Sequence, residues 1–230
     1  MTDFTYTLIR QQKRKTLCIT ISSNNSITVK ASMRLAKKHI ENFLNRKSPW
    51  INKTIHFNRQ IKKSYIPKNF TEGEKFLYLG QEYPLILRKK DKGEFILKDA
   101  QLLVAIPPRC KKHKNYISKK LVQWYKAAAY KNFIERVSNY EKIIGVNIID
   151  LKIRTLTKSW GNCSKKGVVS LTWNLIMAPL NIIDYVIVHE LCHLVHPNHS
   201  PNFWKTVSNI LPHYKQCKQW LAVNEAAIRL

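Results

Sequence analysis

Hydrophobic and polar residues change period several times along the chain, and each change marks an element. Thr5-Tyr6-Thr7-Leu8-Ile9 and Leu17-Cys18-Ile19-Thr20-Ile21 alternate at period two, the spacing of a strand with one buried face. They flank a cationic turn from Arg10 to Lys15. Ser22-Ser23-Asn24-Asn25 is turn chemistry, which makes Ser26-Ile27-Thr28-Val29-Lys30 a hairpin partner for the second strand. Ser32 can cap a helix whose apolar positions are Leu35, Ile40, Phe43 and Leu44. Ser48-Pro49 is expected to interrupt it, because proline lacks an amide hydrogen and crowds the preceding turn, with a second helical piece around Trp50, Ile51, Ile55 and Phe57. Phe76-Leu77-Tyr78-Leu79 and residues 83–87 read as a hairpin about Gly80-Gln81, and residues 94–97 and 102–106 as further strands. Pro107-Pro108 then suggests a boundary near residue 110.

Past that point the period is helical. Ile117, Leu121, Trp124, Tyr125, Ala128, Phe133, Ile134 and Val137 form an apolar stripe over residues 116–143, with Gly145 at its C-terminal end. Two strands are expected at 148–156 and 167–175, joined by Thr157-Lys158-Ser159-Trp160-Gly161-Asn162-Cys163-Ser164. A helix from about 182 to 196 is apolar on nearly every side, the pattern of a buried helix. Ser200-Pro201 opens another through Phe203, Trp204, Val207 and Ile210. The fold class is α+β, with a β-rich N-terminal domain over 1–110 that contains a central helical segment, and a second domain over 111–230.

Composition changes this picture in one respect. Forty Lys and Arg against 14 Asp and Glu give a net charge of +26, spread over both halves, so the surface attracts polyanions. A nucleic acid or nucleotide is therefore an expected partner class. Five cysteines without a CxxC spacing suit reduced thiols, no stretch has the length of a membrane span, and the first residues lack a signal-like apolar core. A cytoplasmic chain with no membrane contact is expected.

The chemistry lies in the buried helix. His189-Glu190-Leu191-Cys192-His193 is an HExxH motif, which a chain with 8 His and 9 Glu in 230 residues would contain by chance only about one time in a hundred. Histidines at i and i+4 share one helix side and can share one tetrahedral ion, while Glu190 can polarise a water on that ion. Histidines and a glutamate inside so apolar a helix need partners, and a metal supplies one. The third ligand must come from beyond a turn, since three donors stacked along a straight helix cannot surround an ion. Pro197 biases the chain out of the helix before His199, which makes His199 the leading candidate; Glu225 and His196 are the alternatives.

The stretch from Arg154 to Leu221 resembles the YgjP-like zinc metallopeptidase family, related to the WLM and SprT-like zincins. The resemblance rests on Trp160-Gly161-Asn162-Cys163-Ser164, Ser170 to Ile176, Asp184 to His193, Asn198-His199-Ser200, Phe203-Trp204 and Pro212-His213-Tyr214. The N-terminal half fits through Lys13-Arg14-Lys15-Thr16 and Lys47-Ser48-Pro49-Trp50. The resemblance implies a zincin-like catalytic domain over 111–230, one Zn²⁺ on His189, His193 and His199, and Glu190 as general base.

A zinc-dependent metallopeptidase acting on peptide or protein substrates follows as the leading expectation. Tyr214, His213 and Arg154 are candidate donors to the developing oxyanion, and an extended substrate is expected to pair along the edge of the 167–175 strand. Two other functions use the same residues: a metal-dependent hydrolase of nucleotide phosphoanhydrides, and a nucleic-acid-associated protein with a structural metal. Cys163 as a nucleophile is a further alternative, and Trp160, Trp173 and Trp204 are read as core rather than as a base-stacking platform.

Overall fold

Strand β3 (Ile27–Ser32) organises the first of two compact units, residues 1–65. It pairs antiparallel with β2 (Cys18–Ile21), the expected hairpin, and parallel with β1 (Thr7–Gln11), giving the order β1-β3-β2. The cationic segment after β1 is thus a connection across β3, not the tip of a hairpin. Arg10 donates to the carbonyls of Ser32, Met33 and Leu35 at 3.1, 2.9 and 2.8 Å, satisfying backbone acceptors where β3 ends. The computed structural model describes residues 4–22, 25–64, 67–89 and 94–230, with only the backbone described for 57–64.

Helix α1 (Lys37–Ser64) runs through Pro49 instead of breaking there. Ile40 and Leu44 before the proline and Ile51 after it are all fully buried with Val29 and Ala31. Burying three such side chains is worth several kcal/mol, which outweighs the cost of about 3 kcal/mol for a proline inside a helix.

The second unit, residues 66–230, holds both remaining sheets. Strands β4 (Lys75–Tyr78), β5 (Gln81–Lys89), β6 (Phe95–Lys98) and β7 (Gln101–Ile106) lie in the order β4-β5-β7-β6, with β5 and β7 parallel. Helix α2 (His113–Ile144) buries Ile117, Leu121, Tyr125, Ala129, Phe133 and Val137, one ridge at i+4 spacing. Ile134, expected in that stripe, is 37% exposed. Gly145 ends the helix in the left-handed region at φ 76°, its N–H donating to the Glu141 carbonyl. The expected boundary near residue 110 falls inside this unit. Phe76, Leu85, Leu102 and Val104 share one core with Leu121 and Tyr125, and the Tyr125 hydroxyl donates to the Leu77 carbonyl at 2.6 Å. Pro107-Pro108 marks a turn within this compact unit.

The second sheet contains β8 (Asp150–Arg154), β9 (Gly161–Cys163) and β10 (Val168–Thr172) in the order β8-β10-β9. The chain leaves β10 through a 3₁₀ turn (Trp173–Met177), so the strand is shorter than expected, and enters α3 (Leu180–Cys192). The β4–β5 turn seats on this entry: Leu79 N–H donates to the Ile176 carbonyl and Gly80 N–H to that of Met177. Gly80 is required there, because its φ is 80° and a Cβ would lie 2.8 Å from Pro179 Cγ. An Arg136–Asp184 ion pair ties α3 to α2. Helices α4 (Pro201–Ile210) and α5 (Tyr214–Asn224) complete the unit. Among the described residues no helix is long and apolar enough to cross a membrane.

Candidate active site

Helix α3 carries His189 and Glu190, with His193 just past its end, in a segment buried at Ile182, Ile183, Leu191, Cys192 and from Tyr185 to Val188. It stops at Cys192, four residues short of the expected end. His193 is its C-cap, and the amides of Leu194 and Val195 donate to the carbonyls of Leu191 and Cys192 as tight turn bonds. The early stop lets the chain reverse through Pro197. Ser200 then starts α4, its hydroxyl accepting from the Phe203 amide at 3.3 Å. The reversal brings His199 back over α3.

The result is a convergent donor set. His199 Nε2 is 2.9 Å from His189 Nε2, and the ligand atoms of His189, His193 and His199 all lie within 4.8 Å of one another. His193 Nδ1 is 3.2 Å from the His196 carbonyl. A carbonyl only accepts, so Nδ1 carries the proton and the Nε2 lone pair is left free for a cation. Burial, then the charges of His193, His199 and Lys218, hold His189 down at about 3, and His199 is lowered by burial, His193 and Lys218. Imidazole nitrogens that face each other are the donor chemistry a transition metal requires, so these residues fit one ion. Phe203 packs its buried ring within 5.0 Å of all three imidazoles, and Trp204 stacks on His199.

The two rival ligands are engaged elsewhere. His196 Nε2 lies 3.1 Å from the Thr206 hydroxyl, and the Glu225 carboxylate accepts from Arg229 at 2.9 Å. Glu225 nonetheless lines the cleft.

Glu190 is 6% exposed, and burial pushes its carboxyl up to about 8. It lies against β9 so closely that a Cβ on Gly161 would meet its Cγ, Oε1 and Cδ at 2.7, 2.8 and 2.9 Å. A cleft of about 1060 Å³ opens between β9 and α3, with Tyr185, Lys218 and Leu221 also on its walls. The strand at this cleft is β9, not β10 as expected. Strand β10 is bonded on both sides, to β8 and β9, so it has no free edge; among the described residues β9 pairs on one side only.

Three expected oxyanion donors do not line the cleft: Arg154 ends β8 exposed, His213 caps α5 exposed, and Tyr214 stacks behind Trp204. Sequence reasoning passed over Tyr185, although it stands four residues before His189 on the same helix side. Burial and the charge on Cys217 push its hydroxyl to about 12, so it keeps its proton. Lys218 lies on a helix that was not anticipated. The Cys163 thiol is pushed up to about 11 by burial and by Glu190, which leaves no thiolate to act as a nucleophile. Trp173 is buried in the core, as expected, and Trp160 sits under the Arg229 guanidinium.

Among curated proteins, none matches the chain. The crystal structure of the metallopeptidase zymogen of Pyrococcus abyssi abylysin is similar at 24% identity, over 39% of this chain and 90% of that chain, with a TM-score of 0.37. The sequence model described as "YgjP-like, metallopeptidase domain" matches residues 15–224, a span that takes in β9, the three histidines and Glu190. With the match running over nearly the whole length, the chain belongs to the YgjP-like metallopeptidase family.

Proposed function

We propose that the chain is a zinc-dependent metallopeptidase, with one ion held by His189, His193 and His199 and with Glu190 as its general base. The observation that carries this reading is the convergence of three histidine imidazoles beside a buried carboxylate on the wall of an open cleft. A nitrogen-only donor set suits Zn²⁺, and three protein ligands with His199 exposed match a catalytic rather than a closed structural site. When bound, the ion supplies Lewis acidity, which makes water nucleophilic near neutral pH and polarises a carbonyl oxygen.

The chain's own groups do the rest. The free edge of β9 offers backbone donors and acceptors to an extended peptide, whose carbonyl is thereby held over Glu190. A carboxyl poised at about 8 without the ion, and lower beside a cation, takes a proton from the attacking water and returns it to the leaving amine. Tyr185 and Asn162 are neutral donors on the cleft walls for the developing negative charge.

The test incubates purified, zinc-loaded protein with unfolded protein and with a nucleotide panel, beside Glu190→Gln and chelated samples. Expected are peptide cleavage lost in both controls and intact nucleotides. Nucleotide hydrolysis without peptide cleavage would overturn the peptidase reading.

A further inference from the structure

The charges on the cleft walls are unequal. Among the described residues, four charged side chains line it: Lys165, Glu190, Lys218 and Glu225. Glu225 is neutralised by Arg229, which is itself fixed by a bond to the Leu156 carbonyl at 2.9 Å and by its position over the Trp160 ring. Glu190 is committed to the reaction. Neither lysine has a carboxylate within ion-pair reach among the described residues.

Lys218 is the better placed of the two. Its ammonium sits 4.8 Å over the Trp204 ring, which stacks at 21° on His199. That seat restrains a flexible side chain beside the three histidines. Keeping an ammonium next to three metal-ligating imidazoles opposes the binding of a cation, so nothing in holding the metal explains it. An anion arriving with the substrate does.

We propose that Lys218 forms a subsite for a substrate carboxylate next to the scissile bond, so that the chain cleaves beside acidic residues. The inference rests on the peptidase reading above. The carboxylate can come from an Asp or Glu side chain or from the C-terminus of the substrate; both present the same two oxygens to the ammonium.

The experiment digests a library of proteome-derived peptides with the zinc-loaded protein and reads the cut sites by mass spectrometry, in wild type, Lys218→Arg, Lys218→Gln and Lys218→Glu. Zinc content of each variant is measured alongside. Expected are Asp and Glu enriched within two residues of the cut in wild type and Lys218→Arg. The preference should drop about ten-fold in Lys218→Gln, the scale of one charge-assisted contact, and turn towards Lys and Arg in Lys218→Glu, all at equal zinc content. Matched peptides with free and amidated C-termini separate the two sources: sensitivity to amidation assigns the terminal carboxylate, insensitivity the side chain. Cleavage without acidic enrichment, or enrichment that survives Lys218→Gln, overturns the subsite while leaving the peptidase intact. Absence of any cleavage by the zinc-loaded wild type overturns both.

Discussion

Gly161→Ala is the smallest change that tests the proposed role of Glu190. Adding a methyl group to a strand glycine ordinarily stabilises it by about 0.5–1 kcal/mol through lost chain entropy, and Gly161 is not in the left-handed region, so its backbone accepts alanine. Space decides the outcome here. The new Cβ would stand 2.7 Å from Glu190 Cγ, 2.8 Å from Oε1 and 2.9 Å from Cδ, against an ordinary carbon contact of about 3.5 Å. Glu190 or β9 must therefore move by about 0.8 Å. Glu190 is buried and its helix is packed on nearly every side, so the displacement falls on the carboxylate or on the substrate edge of β9, both of which set the proton-transfer geometry. A shift near 1 Å at a catalytic group costs on the order of 10²-fold in rate. The assay is steady-state peptide cleavage with kcat and KM resolved, beside zinc content and circular dichroism. Expected are a kcat lower by about 10²-fold, bound zinc unchanged because no ligand is touched, and a Gly161→Ala/Glu190→Gln double variant no slower than Glu190→Gln. Gly161→Ala within two-fold of wild type, with the fold intact, would refute the argument.

Further outcomes are expected. His199→Ala should weaken zinc binding at least 100-fold by competition with a chromophoric chelator, while His196→Ala and Glu225→Gln leave it within a few-fold, since their side chains bond to Thr206 and Arg229. In the metal-free chain, Glu190 is raised from an unfolded value of 4.5 to about 8, so the stability it contributes is present below 4.5 and lost as pH rises through 8. His189, lowered from 6.5 to about 3, acts oppositely, adding stability as pH rises from 3 to 6.5. The resistance of the apoprotein to urea should therefore fall between pH 6.5 and 8, and Glu190→Gln should flatten that limb. Ser200→Ala, which removes the N-cap of α4, should cost about 1 kcal/mol by the same measurement and loosen zinc through the neighbouring His199.

The HExxH helix and the bend to His199 were legible because they depend on local chemistry. The i, i+4 spacing, Pro197 and the Ser200-Pro201 cap each act within one or two turns. Gly145 and the β2–β3 hairpin were readable for the same reason. What escaped depended on partners distant in sequence. Pro49 reads as a helix break until Ile40, Leu44 and Ile51 are seen buried on one sheet. The parallel pairing of β1 with β3 cannot be told from a hairpin by alternation, because both bury the same face. Strand β9 is only three residues long, too short for any period, and it owes its existence to pairing with β10. Gly161 reads as a loop glycine until Glu190 is found against it.

The seating of the β4–β5 turn on the entry to α3 bears on how small a working piece of this chain can be. A fragment starting at residue 111 would retain all three histidines, Glu190, β9 and the whole cleft, and by motif content it would look complete. It would lack the Leu79 and Gly80 amides that hold the Ile176 and Met177 carbonyls, and it would bare the side of α2 that Phe76, Leu85 and Val104 cover. Such a piece would aggregate before it could be assayed, and its silence would say nothing about the chemistry. The compact unit that carries this site is the whole of residues 66–230, strands included.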